Sequence, residues 1–415
     1  MPAAAIVLAT VASALLIAPV PSYDPWMWLL WGRETASFSL STVDGPAFKP
    51  LPVAVCAVLS LLGPAAPVAW VLIARAGSVV AVFVAYRAGG ALAAAAVALT
   101  GAFVAYAGAG AETGWTTAFA LLALFAWRDG RVGAAIGLGV GCALLRVEAW
   151  PFLIVAGVVA WRRHPELRRL LALYAVAVPA LWLVPEWLGS GDLTRSGARA
   201  RVSNPGLPAT EAVPALAALR EAAALPLWPL WIGACFTPPR LRPVLFAGLA
   251  WIVLVALMAQ AGFSGEPRYS LPGGACVAVA GAAGLLELAR RRAVYAALVA
   301  MALLVAAAPK LAGLPDVRRE QAYQRALDAD LRRVITAAGG RTALLACGRP
   351  YVGHFRGPLL AYRLEVEKRR VAFEPSPPGV VFRSRLRTDA AIEPPAEGFL
   401  PRARVGRWSV SVRCA

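Results

Sequence analysis

Apolar runs of near-membrane length recur along the whole chain, and they limit what it can fold into more than any other feature. Val244–Gln260 and Leu271–Ala289 are two of them, in a chain of 415 residues that is 59% hydrophobic and 15% charged. Soluble domains carry roughly 45–50% apolar and about 25% charged residues. A soluble enzyme, a disordered scaffold and a small disulfide-rich secreted domain are therefore excluded. A hydrocarbon core about 30 Å thick asks for about 20 apolar residues at about 1.5 Å each. The pattern predicts an all-α polytopic membrane protein.

Leu51–Gly63 is too short for a span and is expected to be re-entrant or interfacial. Apolar stretches then give about eleven crossings, near 3–20, 67–86, 90–109, 113–127, 132–146, 149–161, 170–188, 225–236, 244–260, 271–289 and 293–308. With the N-terminus inside, this count puts Arg87, Arg128, Arg131, the Arg162–Arg169 loop, Arg240, Arg242 and Arg290–Arg292 on the cytoplasmic side. The positive-inside rule requires that placement; a crossing at Leu51–Gly63 would invert it. The expected organisation is a transmembrane domain over 1–308 and a small extracytoplasmic α/β domain over 309–415. A first extracytoplasmic loop covers 21–66 and a second 189–224.

In the tail, Asp316–Ala338 has helical periodicity and ends at Gly339–Gly340. Thr342–Ala346, Gly379–Arg383 and Trp408–Val412 read as strands. Cys347 and Cys414 are candidates for a disulfide, with two buried thiols as the alternative. The net charge of +18 is carried almost wholly by arginine and forms no basic stripe interleaved with aromatics, so no nucleic-acid partner is expected. No cysteine or histidine spacing suits a metal, the only histidines being His164 and His354; no cofactor is expected, and a divalent metal is not excluded.

Charged residues stand at the extracytoplasmic ends of separate spans, where charge is costly and is usually paired or functional. Asp24 follows the first span and precedes Trp26–Glu34, an interfacial helix with three tryptophans at headgroup level. A carboxylate where the chain leaves the bilayer suits a base; a helix cap is the plain alternative. Lys49, before the short apolar segment, suits a lipid phosphate, or snorkels. Arg75, deep in the second span, asks for a buried anion or carboxylate. Glu112, Arg146 with Glu148, and Glu266-Pro267-Arg268-Tyr269 mark later ends. In the second loop Asp192 precedes Arg195 and Arg199, which with Arg201 suit an anion surface or a solvated loop. One site built from several helix ends, taking a membrane-embedded anion, accounts for them together.

These residues resemble the GT-C superfamily of membrane glycosyltransferases, such as lipid A aminoarabinose transferases and protein O-mannosyltransferases. The resemblance lies in Asp24 after the first span, Arg33-Glu34 on the interfacial helix, Lys49-Pro50-Leu51-Pro52, Glu112 and Pro267-Arg268-Tyr269 with Pro272. Most of the chain is also similar to actinobacterial multi-pass membrane proteins, through the stretches Asp24–Glu34, Lys49–Val53, Leu144–Phe152, Pro185–Asp192 and Ser264–Tyr269. The resemblance implies a polyprenyl-phosphate-linked sugar as donor, an extracytoplasmic glycan, lipid or protein as acceptor, and inversion at the anomeric carbon. It makes Asp24 the base, gives Glu34 and Glu112 the orientation of acceptor or sugar, and assigns the lipid phosphate to Lys49, Arg268 and Arg75. Two positions depart from the pattern: Pro25 stands where a second acid is frequent, and Val147 follows Arg146 in place of proline. The competing expectation is a lipid-phosphate binding or translocating protein of the cell envelope that has no need of Asp24.

Overall fold

The computed structural model describes residues 3–385 and 390–414, with only the backbone of His354. Helices dominate. An N-terminal helix α1 (Ala3–Leu16) leads to α2 (Tyr23–Ala36), α3 (Pro50–Leu59) and a long α4 (Ala66–Ala98). Gly89 and Gly90 break α4, and the chain returns through α5 (Phe103–Gly108). There follow α6 (Thr113–Arg128), α7 (Val132–Ala143), α8 (Trp150–Arg163) and α9 (Arg168–Ser190). The second loop holds α10 (Arg195–Ala200) and α11 (Pro214–Ala223), before α12 (Trp228–Cys235), α13 (Arg242–Gln260), α14 (Leu271–Ala289) and α15 (Ala293–Ala312).

Five helical stretches are long and apolar enough to cross a membrane: Pro50–Ala98, Pro165–Ser190, Pro239–Gln260, Pro267–Ala289 and Ala293–Ala337. The other expected crossings are shorter helices, such as the 14 residues of α8 and the 8 of α12. The expected run 90–109 is interrupted where Gly101 N–H donates to the Leu225 carbonyl at 2.7 Å. Small residues let the spans approach: Gly281 of α14 leaves no room for a Cβ against the Leu230 carbonyl of α12.

α3 is 10 residues long, about 15 Å, half a bilayer core. It reverses at Gly63 into α4. Its packing against α2 is intimate, since a Cβ on Gly32 would lie 2.4 Å from the Cys56 carbonyl carbon. Trp26, Trp28 and Trp31 of α2 are each at most 4% exposed within the protein. The physical reason is that α2 is covered on both sides, by α3 and the start of α4 below and by the tail above.

The tail contains α16 (Leu314–Ala337), α17 (Gly340–Cys347), α18 (Gly357–Leu364) and a four-stranded sheet. Strands β1 (Arg349–Tyr351), β2 (Gly379–Ser384), β3 (Leu400–Val405) and β4 (Trp408–Arg413) lie in the order β1-β2-β4-β3. Only β1 and β2 are parallel; Val381 faces Ser411 across β2 and β4. α16 crosses the sheet, and Trp408 Nε1 donates to the Leu327 carbonyl at 2.9 Å. The strand expected over Thr342–Ala346 is instead helix α17, because so short an apolar run fits either periodicity. β1 and β3 were not foreseen. Cys347 and Cys414 form a disulfide with Cα atoms 4.5 Å apart. The apolar core of the tail is continuous with α2 and α3, through Trp26 against Tyr362 at 5.2 Å.

Candidate functional site

The helix ends carry the site. Asp24 sits in the first turn of α2, Lys49 immediately before α3, Glu112 immediately before α6, and Arg146 and Glu148 between α7 and α8. Glu266, Arg268 and Tyr269 belong to the turn before α14. Proline at or near the helix starts (Pro25, Pro50, Pro151, Pro267, Pro272) stops the chain from continuing as helix from the other side, so each polar residue is left at a terminus. All these termini lie at one end of the bundle. The arginine-bearing turns after Arg128, Arg163 and Arg290 lie at the other.

The side chains meet in one buried network. Lys49 Nζ pairs with Glu112 Oε1, and Arg146 Nε approaches the same oxygen at 3.3 Å. Arg146 Nη1 stands 3.8 Å from Glu148 Oε1. Arg268 joins Asp24 Oδ2 at 2.9 Å and Glu266 Oε2 at 2.8 Å. Aromatic faces complete the lining: Tyr269 lies 3.7 Å from Arg146 and 5.5 Å from Arg268, and Trp28 5.1 Å from Lys49. Arg268 also acts on Glu112, which links the two halves. Sequence alone did not reveal Tyr106, which lies within electrostatic range of Glu266, Arg268 and Arg146, or Tyr23 and Trp28. Their only signal is closeness in the chain to an acid or a cation.

Pairing leaves particular atoms unmatched. Arg146 Nη2, Arg268 Nε, Glu112 Oε2 and Glu148 Oε2 are buried without a hydrogen-bond partner; Arg268 Nε is near Glu266 but poorly aligned with it. Such atoms cost about 1–3 kcal/mol each when unmet, so the network is incomplete with protein groups alone. Asp24 does not cap its helix: Ser22 holds the cap position, and Asp24 turns to Arg268. Lys49 is 8% exposed and does not snorkel.

An apolar cavity of about 660 Å³ runs along α8; none of the charged cluster lines it, but its residue Ala149 directly follows Glu148 in the chain. Cys142, Ala149, Phe152, Trp251, Pro272 and Cys276 line its near end, Val159 and Arg163 its far end. Trp251 Nε1 donates to the Tyr269 carbonyl at 2.8 Å, fixing the cavity wall to the charged cluster. The cavity follows α8, whose 14 residues run about 21 Å.

Several expected site residues lie elsewhere. Arg75 meets carbonyls rather than an anion, donating to Ile17, Ala18 and Gly108 at 2.9–3.0 Å. The end of α1 and the end of α5 leave carbonyls unpaired, and Arg75 satisfies them. Arg33 donates to the Tyr362 and Val366 carbonyls, each at 3.3 Å, and so anchors the tail. Arg195 and Arg199 hold the first loop through the Gly45 carbonyl at 3.0 and 3.2 Å, and Arg195 also approaches Glu186 at 3.4 Å. Arg201 lies over Phe263, 4.7 Å from its ring centre, so the three arginines do not form one exposed surface. Asp192 is exposed and caps Thr194 at 2.7 Å. Among the described residues no group of three or more His, Cys, Asp or Glu is arranged to hold a metal.

Glu34 is also apart from Asp24, ten residues on along α2, about 15 Å. It accepts from Ser41 N–H at 3.0 Å, and its Oε1 has no partner. Burial, with Glu367 adding to it, pushes its carboxyl up from 4.5 to about 7, against the Ser41 hydrogen bond. The folded state therefore holds a proton that the unfolded state releases. Stability is full below the unfolded value and falls as pH rises from about 4.5 to about 7, by up to about 1.4 kcal/mol per unit. Thermal unfolding across that range checks this; Glu34→Gln should flatten the decline.

No family model matches the chain, and no curated protein matches it. Among solved structures it is similar to the crystal structure of ArnT from Cupriavidus metallidurans bound to undecaprenyl phosphate, with 17% identity and a TM-score of 0.54 over 98% of this chain and 97% of that one. The apo state of the same protein gives 16% identity and a TM-score of 0.53, covering 99% and 98%. The likeness extends over nearly the whole of both chains, and the chain has an ArnT-like fold.

Proposed function

We propose that the chain is a membrane glycosyltransferase that moves a sugar from a polyprenyl-phosphate donor to an extracytoplasmic acceptor. The observation that carries this is the nearness of three cations, Lys49 and Arg146 buried and Arg268 half-buried, with unmatched guanidinium N–H groups, to a long apolar cavity. One end suits a phosphate and the other an isoprenoid chain. The ArnT structure with this fold holds undecaprenyl phosphate, which supports the same class of ligand here. The short helices α6, α7, α8 and α12 complete the bundle around the five full-length stretches. Arginine clusters at the end opposite the site support an extracytoplasmic position for the site and the tail.

In this account the lipid phosphate enters between Lys49, Arg146 and Arg268. It takes up Arg146 Nη2 and Arg268 Nε and competes with Asp24 for Arg268. Asp24, so released, accepts the proton of the acceptor hydroxyl. That oxygen bonds to the anomeric carbon from the face opposite the phosphate, the carbon–phosphate-oxygen bond breaks, and polyprenyl phosphate leaves with the electron pair. Configuration inverts. The three cations stabilise the charge that grows on the leaving oxygen, while Glu112 holds Lys49 and Arg146 in place. Aromatic faces of Tyr269 and Trp28 shield these pairs from water, which strengthens them. The test is release of free polyprenyl phosphate from radiolabelled polyprenyl-phosphate sugars by the purified chain. Lipid binding without release across pentose and hexose donors would favour the non-catalytic lipid-phosphate carrier.

A further inference from the structure

Lys49 stands at the end of a turn, residues 43–48, that has neither helix nor strand to hold it. Its hydrogen bonds all come from the end of α9 and from α10. Just before the turn, Thr42 N–H donates to the Gly189 carbonyl at 3.0 Å, and a Cβ on Gly189 would lie 2.8 Å from Thr42 Oγ1. Arg195 donates to the carbonyls of Val43, Gly45 and Pro46 at 3.0–3.3 Å, and Arg199 to that of Gly45 at 3.2 Å. Ser196 Oγ accepts from Phe48 N–H at 2.8 Å and donates to Glu186 Oε2. Among the described residues 43–48 make no other hydrogen bond.

The Ser196 bond is the one nearest Lys49. Pro50 and Pro52 have no N–H, and Leu51 N–H reaches the Leu144 carbonyl only at 3.4 Å. The Phe48 ring, 2% exposed, packs on Trp31 with ring centres 5.6 Å apart and fixes the depth of the turn. The bond from Phe48 N–H to Ser196 fixes the direction in which the chain enters Lys49. Glu186, 0% exposed, takes the hydroxyl proton of Ser196 and so turns the Oγ lone pairs towards Phe48. Arg195 approaches the other oxygen of Glu186 at 3.4 Å. None of the six residues of α10 is buried, and exposed residues flank it at 191–194 and 201–202. Its place therefore depends on these polar bonds, and removing the half-buried Ser196 hydroxyl opens no cavity in the core.

We propose that Ser196, oriented by Glu186, is a positioning residue for Lys49: through it the second loop sets the turn before α3 so that Lys49 Nζ reaches the donor phosphate. This rests on the glycosyltransferase reading, in which Lys49 meets that phosphate, and deepens it. The second loop then governs donor affinity through Lys49 rather than through an anion surface of its own.

The test uses the full chain in detergent, with undecaprenyl phosphate binding measured for the parent chain, Ser196→Ala, Lys49→Met and the double variant. Ser196→Ala should weaken binding about three- to tenfold, the worth of one hydrogen bond. Ser196→Thr, which keeps the hydroxyl, should restore it. In the Lys49→Met background Ser196→Ala should change nothing further, because the loss runs through Lys49. Unchanged binding in Ser196→Ala, or the same loss with and without Lys49, would overturn the proposal. Hydrogen exchange requires neither the lipid nor a Lys49 variant. The Phe48 amide should exchange about three- to tenfold faster in Ser196→Ala and at the parent rate in Ser196→Thr; equal exchange in Ser196→Ala would overturn the proposal as well. If the parent chain does not bind undecaprenyl phosphate, the donor assignment falls, and the exchange result alone decides whether Ser196 holds the turn.

Discussion

Asp24→Asn should lower release of polyprenyl phosphate by about 10²–10⁴-fold, the usual contribution of a general base, while undecaprenyl phosphate binds at least as tightly as before. The two effects have one cause. Asp24 is bound to Arg268 at 2.9 Å, so the carboxylate that must take a proton also neutralises a cation meant for phosphate. Asparagine keeps the shape, removes the base and withdraws the competitor. Loss of activity through misfolding would reduce lipid binding as well, and the unfolding temperature would fall with it. Unchanged turnover in Asp24→Asn would remove Asp24 as the base.

Lys49→Met should weaken undecaprenyl phosphate binding by about tenfold or more and destabilise the chain by about 3–5 kcal/mol, the usual cost of breaking a buried pair. Glu112 is 1% exposed, and Lys49 and Arg146 converge on one of its oxygens. Without Lys49 that carboxylate keeps only Arg146. Glu112→Gln strands the two cations in the same way. The double variant should therefore lose less than the two single losses combined, by about 0.5–3 kcal/mol. Thermal unfolding of the four proteins measures the coupling. Strict additivity would mean that Lys49 and Glu112 do not support one another.

The distribution of apolar runs and arginine turns was enough to indicate a membrane helix bundle, and the ends of those runs pointed to most of the charged cluster. Asp24, Lys49, Glu112, Arg146, Glu148, Glu266 and Arg268 converge because each stands at a helix terminus on the same side of the bundle. What could not be read locally was the partner. Arg75 looks like an anion ligand until the unpaired carbonyls of α1 and α5 come within its reach. Arg33 and Glu34 sit on the same helix as Asp24, yet the tail covers their end of it. Thr342–Ala346 reads as a strand yet lies in helix α17, because so short an apolar run carries too little periodicity to separate the two. The cavity along α8 left no sequence trace, since small apolar residues lining a cavity read like those lining a core.

The most direct measurement is a cryo-electron-microscopy structure of the chain with undecaprenyl phosphate. The account predicts the phosphate within hydrogen-bond distance of Lys49 and of Arg146 or Arg268, the prenyl chain along α8, and Asp24 no longer joined to Arg268. A phosphate bound away from all three cations, with the Lys49–Glu112 and Asp24–Arg268 pairs undisturbed, would contradict it.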